Sequence, residues 1–257
     1  MTYSDHLVIP DTHVQPGVDL DHLFALGELI VNRKPDVIVH LGDFADMKSL
    51  CSHNNNLQFE GQRYTEDIRS AQEGMSTLLF PLRLHNEVRS SRKKRTYNPR
   101  MILTLGNHED RIRQVIDKNP QLEGVISVND LGYHEYGWEV VPFKEIITVD
   151  GVNYVHYAQQ ERSSNPIPRP HLIAQRKHAS FTVGHTQGLE YYLSHGLDPN
   201  GNRIQCIVAG SFYMHDEDYL GPQGNQHWRG VIYKHRVSEG NYDPEFISLD
   251  RILRGDY

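Results

Sequence analysis

The chain has 257 residues, 38% hydrophobic and 23% charged, the profile of an ordinary soluble protein with room for one large α/β domain or two small ones. A formal net charge of −7 excludes a protein that binds polyanions through overall basicity. Two cysteines, Cys51 and Cys206, give no zinc-finger spacing and no disulfide framework. No stretch approaches a membrane span, and the apolar residues 7–10 are too few for a signal peptide, so cytoplasmic residence without membrane association is expected. The sixteen histidines are the one oddity, and only those at strand ends carry weight.

Residues 6–10 form the first expected strand and run into Asp11-Thr12-His13. Residues 18–34 place Leu20, Leu23, Phe24, Leu26, Ile30 and Val31 mostly on one helical face, with Pro35 as the stop. Residues 36–41 give a second strand, closed by Gly42-Asp43-Phe44-Ala45-Asp46. Strand, helix and strand within this length read as a right-handed βαβ unit with parallel strands. Residues 50–62 are polar and Asn-rich, a loop or short helix. Residues 63–89 read as a helix with Ile68, Met75, Leu78, Leu79 and Leu82 inward, interrupted or kinked at Pro81. The basic run from Arg89 to Arg95 is either a phosphate-binding patch or a solvated helix end favoured by the dipole.

A third apolar run, residues 101–105, ends in Gly106-Asn107-His108-Glu109-Asp110, with a short helix expected over 110–119. Residues 139–150 and 152–157 read as two strands joined by an Asp150-Gly151 hairpin turn, with His156 near the end of the second. A loop over 158–170 carries Arg162 and Arg169, either phosphate clamps or ordinary surface residues. A short helix over 172–177 and a strand over 180–183 follow, closed by Gly184-His185-Thr186-Gln187. Further strands are expected over 204–209, 230–237 and 245–249. The expectation is a single domain over 1–257 with a helical insertion around 47–99. Its class is α/β, a four-layer α/β/β/α sandwich of two mixed β-sheets flanked by helices.

Five strand ends thus carry groups competent to bind metal. Singly, an Asp-x-His occurs by chance and a Gly-Asp is often a turn. Five in succession, each directly after an apolar run, are hard to assign to chance. The order of these motifs resembles that of the calcineurin-like metallophosphoesterase superfamily over residues 11 to 187. The stretch Ala209-Gly210-Ser211-Phe212-Tyr213, with Trp228-Arg229-Gly230 beyond it, also resembles phage-encoded members.

The resemblance implies two divalent metal ions bridged by Asp43, with a shared hydroxide attacking phosphorus. One ion would take Asp11, His13 and the last residue of the Gly-His-x-His motif. The other would take Asn107, His156 and His185. His108 would face the leaving group as proton donor, with Asp46 orienting it. The donor mixture suits Mn²⁺ first, with Fe, Zn²⁺ or Ni²⁺ as alternatives. One position departs from the pattern: Gln187 stands where a histidine is usual, and its harder amide oxygen should weaken that site or turn it toward Mn²⁺. Glu109 has no role that the sequence defends.

A phosphate ester is the expected partner, with DNA, RNA or a nucleotide as the leading substrates of a phosphodiesterase or nuclease. Phosphomonoesterase action on a nucleotide or other small phosphate is the alternative, and a catalytically silent binding module the third reading. Met47-Lys48 follows the Gly-Asp-x-x-Asp motif where protein phosphatases of this superfamily carry Arg-Gly, which argues against that branch.

Overall fold

The computed structural model describes residues 3–51, 61–198, 201–217 and 221–257. Most of the expected loop or helix over 50–62 therefore lies outside the described residues. The expected βαβ unit forms. β1 (Ser4–Ile9) and β2 (Val37–His40) pair in parallel, with His6 opposite Val37 and Ile9 opposite His40, and α1 (Asp21–Arg33) connects them. A long helix, α2 (Tyr64–Ser91), makes the next crossover to β3 (Arg100–Thr104), which adds in parallel to β2. α3 (Asn107–Lys118) follows at once, and β4 (Glu139–Val141) adds in parallel outside β3.

The second sheet begins with a hairpin, β5 (Ile147–Val149) and β6 (Val152–Val155). Its turn, Asp150-Gly151, has both residues at positive φ, as a tight hairpin of matching twist requires. After α4 (Pro170–Lys177) come β7 (Phe181–Val183), β8 (Leu189–Leu197) and β9 (Arg203–Ala209). β7 lies parallel to both β6 and β9, and β8 is antiparallel at the edge. A single turn, α5 (Gly221–Gly224), precedes β10 (Gly230–Ser238) and β11 (Asn241–Ser248), which return antiparallel to the edge of β1. α6 (Leu249–Arg254) is the last helix. The sheet orders are β11-β10-β1-β2-β3-β4 and β5-β6-β7-β9-β8.

Two sheets with both faces covered explain the continuous apolar strands. Along β1, Leu7 and Ile9 point to the helical layer, where they meet Leu23, Leu26, Met75 and Leu78, while Val8 points between the sheets. The middle layer packs Val8, Val39 and Ile102 against Tyr154, Ile207 and Ala209. On the far side, Ile173 and Ala174 of α4 cover Phe181, Val183 and Cys206. The four-layer sandwich is thus the observed architecture. Both cysteines are free thiols.

Four local expectations are corrected. The strand expected over 139–150 divides at Pro142, which has no N–H to donate, and its two pieces belong to different sheets. β8 was not anticipated, because this edge strand has no wholly buried face and its residues alternate between partly covered and exposed. The helix expected to begin at residue 110 begins at Asn107, so the motif residues occupy its first turn. Of the two alternatives at Pro81, an interruption or a kink, the interruption is overturned, since α2 runs through Pro81 to Ser91.

At the turn of α2 that carries Pro81, α1 approaches closely. A Cβ on Gly27 would lie 2.4 Å from the Leu78 carbonyl oxygen and 2.8 Å from Pro81 Cδ. The inter-sheet layer holds one unusual group: Lys234, fully buried, whose Nζ donates to Thr182 Oγ1 and to Tyr154 OH at 3.3 Å and sits 4.1 Å from the Tyr242 ring centre. Burial pushes its pKa well below the ordinary lysine value. His6 extends this network outward, with Nδ1 2.7 Å from Tyr154 OH and Nε2 2.9 Å from the Asp150 carboxylate.

Gly27→Ala should destabilise the protein by about 1–3 kcal/mol through overpacking. Helix propensity alone predicts a gain of about 1 kcal/mol, so a more stable variant in urea unfolding would overturn this account of the crossing. A second expectation concerns pH. Between the lowered folded pKa of Lys234 and the unfolded value of about 10.4, the unfolded chain binds one more proton. Stability therefore rises with pH by about 1.4 kcal/mol per unit from this group. Lys234→Met should remove that slope, seen as unfolding midpoints that converge with wild type as pH rises. Parallel pH profiles would show that Lys234 is charged in the fold.

Candidate metal centre

The singled-out residues all leave the carboxyl ends of strands at one edge of the sandwich. Asp11 and His13 follow β1, Asp43 and Asp46 follow β2, Asn107 and His108 follow β3, His156 follows β6, and His185 and Gln187 follow β7. The two sheets are clipped together there. Asp11 bridges to Ser211 just past β9, and the Phe212 N–H donates to the Asp11 carbonyl at 2.7 Å. His13, Asp43 and His185 each adopt positive φ (43°, 50° and 65°), which is uncommon outside glycine and concentrates at functional sites.

Asp43 lies at the centre. Its Oδ1 accepts the His108 backbone N–H at 2.8 Å, at the N-terminus of α3, where the dipole favours an anion. Its Oδ2 lies 3.3 Å from His156 Nε2 and 3.7 Å from both His13 Nε2 and His108 Nε2. Gly106 is required beside it, since a Cβ there would fall 2.0 Å from Oδ1. Glu109, without a role in the sequence reading, is the brace of this loop pair. It is fully buried and accepts the N–H groups of Asp43, Ala45 and Gly106 at 2.9 to 3.1 Å, with Tyr133 OH at 3.2 Å. Burial and the Asp43 charge raise its pKa.

The histidine tautomers test whether cations fit. His156 Nδ1 lies 2.8 Å from the Leu41 carbonyl, which can only accept, so Nδ1 carries the hydrogen. Its Nε2 then faces two oxygens, Asp43 Oδ2 and Asn107 Oδ1 at 2.8 Å. His13 repeats the logic. Nδ1 is 2.6 Å from Glu217 Oε1, while the buried Nε2 has no hydrogen-bond partner and points at Asp11 and Asp43. A lone pair aimed at carboxylate oxygens calls for a proton or a cation between them. Burial opposes charging of both rings, yet the facing carboxylates prevail: His156 is raised to about 9, and His13 goes well above its usual value. Burial pushes Asp11 up to about 6 and His185 down to about 4. Asp43, despite burial, is held well below the carboxylate range by His108 and His156. Two groupings, Asp11 with His13 and Asp43, and Asp43 with His156 and His185, bring their donor atoms within 4.8 Å of one another. Asn107 Oδ1 joins the second, 2.9 Å from His185 Nδ1. The residues fit two cations sharing Asp43.

His108 lies between Asp46 and Arg111. Its Nδ1 is 2.8 Å from Asp46 Oδ1, close but poorly aligned for a hydrogen bond, and its Nε2 is 3.0 Å from Arg111 Nη2. Arg111 also donates to the Asp46 carbonyl at 2.6 Å and reaches that of Met47 at 3.4 Å. Burial raises the Asp46 carboxyl, but His108 outweighs it and the pKa falls. Gln187 reaches the same region, where its amide oxygen accepts from Tyr213 OH at 2.9 Å. Tyr213 in turn stacks on the His13 ring, their centres 5.3 Å apart.

Several of these groups escaped sequence reasoning. Arg111 carried a readable signal, lying three residues from His108 on one helical face. Glu217 lies 204 residues from its partner and gave none beyond its place after β9. Half-buried Tyr157 and Phe143 sit beside the second grouping, with the Tyr157 ring centre 5.0 Å from that of His185. Of the basic features of the sequence, Arg169 is engaged in an ion pair with Glu190, and only the run after α2 is placed away from the centre. That run follows the C-terminus of α2, where the Tyr97 hydroxyl holds the chain to the Pro35 carbonyl. That is the edge where β2 and β3 begin, opposite the candidate centre.

The family model for calcineurin-like phosphoesterases matches residues 6–210. No curated protein matches the sequence. Similar solved structures include wild-type Vps29 complexed with zinc from Entamoeba histolytica, at 12% identity and a TM-score of 0.37 over 95% of this chain and 99% of that one. A predicted phosphoesterase from Streptococcus pneumoniae shows 11% identity and a TM-score of 0.34, covering 96% and 99% of the two chains. TT1561 of Thermus thermophilus shows 10% and 0.41, covering 95% and 99%. The family match spans well over half of the chain and takes in every motif from Asp11 to Gln187, so this chain belongs to the calcineurin-like phosphoesterases.

Proposed function

We propose that the protein is a metal-dependent phosphoesterase acting on phosphodiesters, with a nucleotide or nucleic acid as substrate. The observation that carries this reading is the convergence of two donor groupings on Asp43, with His108 facing the same carboxylate. Asp11, His13, Asp43 and Gln187 would hold one divalent ion, and Asp43, Asn107, His156 and His185 the other. Such ions, when bound, supply Lewis-acid stabilisation of charge at phosphorus and a nucleophilic water near neutral pH. Mn²⁺ is the proposed metal, since an amide oxygen replaces an imidazole at Gln187, with Fe, Zn²⁺ and Ni²⁺ as competitors.

The chain's own groups supply the rest. His108, beside Asp46, is the candidate proton donor to the leaving oxygen. Its Nε2 accepts from Arg111 here and must give up that contact to carry the proton. General-acid catalysis of this kind contributes roughly 10²–10⁴ in rate. A sugar alkoxide needs that proton, being a poor leaving group. The fork of Arg111 is committed to Asp46, Met47 and His108, which suits a singly charged diester better than a monoester dianion. Phe143 and Tyr157 offer a base a stacking surface beside the second grouping. With the basic run at the opposite edge, the reading favours nucleotides or short single strands over a long duplex.

With added Mn²⁺ the protein should hydrolyse bis-p-nitrophenyl phosphate faster than the monoester. Preference for the monoester would overturn the diester reading, and no turnover with any metal would leave a binding module. His108→Asn should lower kcat on nucleotide diesters by about 10²–10⁴ while the bound metal, measured by elemental analysis, stays the same. Gln187→His should raise occupancy of the first site or shift it from Mn²⁺ toward Zn²⁺. Unchanged occupancy and preference would remove Gln187 from the donor set.

A further inference from the structure

Glu217 is fixed in place before it meets anything in the centre. Its backbone N–H donates to Asn225 Oδ1 at 2.8 Å, and Asn225 Nδ2 donates back to its carbonyl at 2.9 Å, so one amide side chain brackets the residue on both sides. The carboxylate is 2% exposed, with Oε1 2.6 Å from His13 Nδ1 and 3.3 Å from His215 Nε2. His13 is restrained on its faces as well. Its ring stacks between His108, at 4.5 Å, and Tyr213, at 5.3 Å. The outward nitrogen is thereby tied to a buried anion, and the inward Nε2 is left with no partner except the Asp11 and Asp43 carboxylates.

We propose that Glu217 is a positioning residue for the first ion of the centre: it fixes His13 with the hydrogen on Nδ1 and the donor pair on Nε2, and it strengthens that imidazole as a ligand. A carboxylate on the far nitrogen of a metal-bound histidine sets its tautomer and orientation and raises its basicity. The device answers a specific weakness of this chain. Gln187 brings an amide to the first site where an imidazole would bind more tightly, and part of that oxygen's capacity is taken by Tyr213. Glu217 compensates by making the site's one imidazole a better donor. His156 at the second site rests only on a neutral carbonyl, Leu41, so the reinforcement is confined to the first. The inference rests on the two-ion reading above.

The test is a stepwise Mn²⁺ titration by calorimetry of wild type and Glu217→Gln, with the first-ion step identified by its loss in Asp11→Asn. The first-ion affinity should fall about tenfold to a hundredfold, the usual loss when such a partner is removed, and the second-ion affinity should not move. Equal affinities, or equal loss of both ions from a folded variant, would overturn the role of Glu217 and leave the two-ion reading standing. A wild type that binds no ion would overturn both. Should Glu217→Gln fail to fold, wild type decides. In ¹⁵N spectra of protein loaded with ¹¹³Cd²⁺, His13 should show metal coupling at Nε2 and a retained proton on Nδ1. Coupling at Nδ1, or an Nδ1 without its proton, would refute the proposal.

Discussion

The centre depends on keeping the Asp43 carboxylate charged where almost no water reaches. A second buried acid, Asp11, and a third, Glu109, stand in the same pocket of the fold, so the arrangement is self-repelling unless positive charge lies among them. The fold answers on two sides. The backbone offers Asp43 the first turn of α3, a fixed partial positive charge that cannot be titrated away. The side chains offer three imidazoles around Oδ2. What the backbone and the rings leave uncompensated is an electrostatic demand that divalent ions would meet.

Holding donors in this arrangement has a local cost. Three candidate ligands occupy the left-handed region, a strain on the order of 1–3 kcal/mol each. The surrounding contacts over-determine those conformations. Glu109 gathers three backbone N–H groups from the loops after β2 and β3, and the His185 N–H points at the Asp11 carboxylate, 3.2 Å from each oxygen. Gly106 and Gly184 permit this closeness, since a Cβ at either position would strike Asp43 or Asp11. The glycines of the motifs are thus steric conditions for the acids beside them.

Much of this was legible because the strands before the motifs are buried on both faces and read as plain apolar runs. Where burial is one-sided or partial, the pattern fades. β8 has no wholly covered face, and beyond the pair Tyr191-Tyr192 little in residues 189–197 marks it as a strand. The break at Pro142 was written in the sequence, but an apolar run on either side of a proline does not say that the two halves belong to different layers. The ligand-bearing motifs are local in sequence and therefore readable. Their supports are not. Glu109 acts through backbone hydrogen bonds to another loop, and Glu217 acts across the whole length of the chain. The basic run shows the converse: a conspicuous local signal whose position the topology sets, on the edge away from the acids.

The clip between Asp11 and Ser211 has a further meaning for how the centre is gauged. Asp11, His13, Asp43 and Asn107 ride on the first sheet, whereas His156 and His185 ride on the second. The strands that carry the two halves of the centre are therefore one inter-sheet spacing apart, about 10 Å and set by interlocking side chains, and the side chains reach across it to bring Asp43 Oδ2 within 3.3 Å of His156 Nε2. Val8, Val39 and Ile102 against Tyr154, Ile207 and Ala209 work as the jaws of a caliper, and their volumes determine how far it opens. The middle of the sandwich, hydrocarbon apart from the Lys234, Thr182 and Tyr154 network, is thus the part of the molecule that sets the distance across which the donors of the two sheets meet.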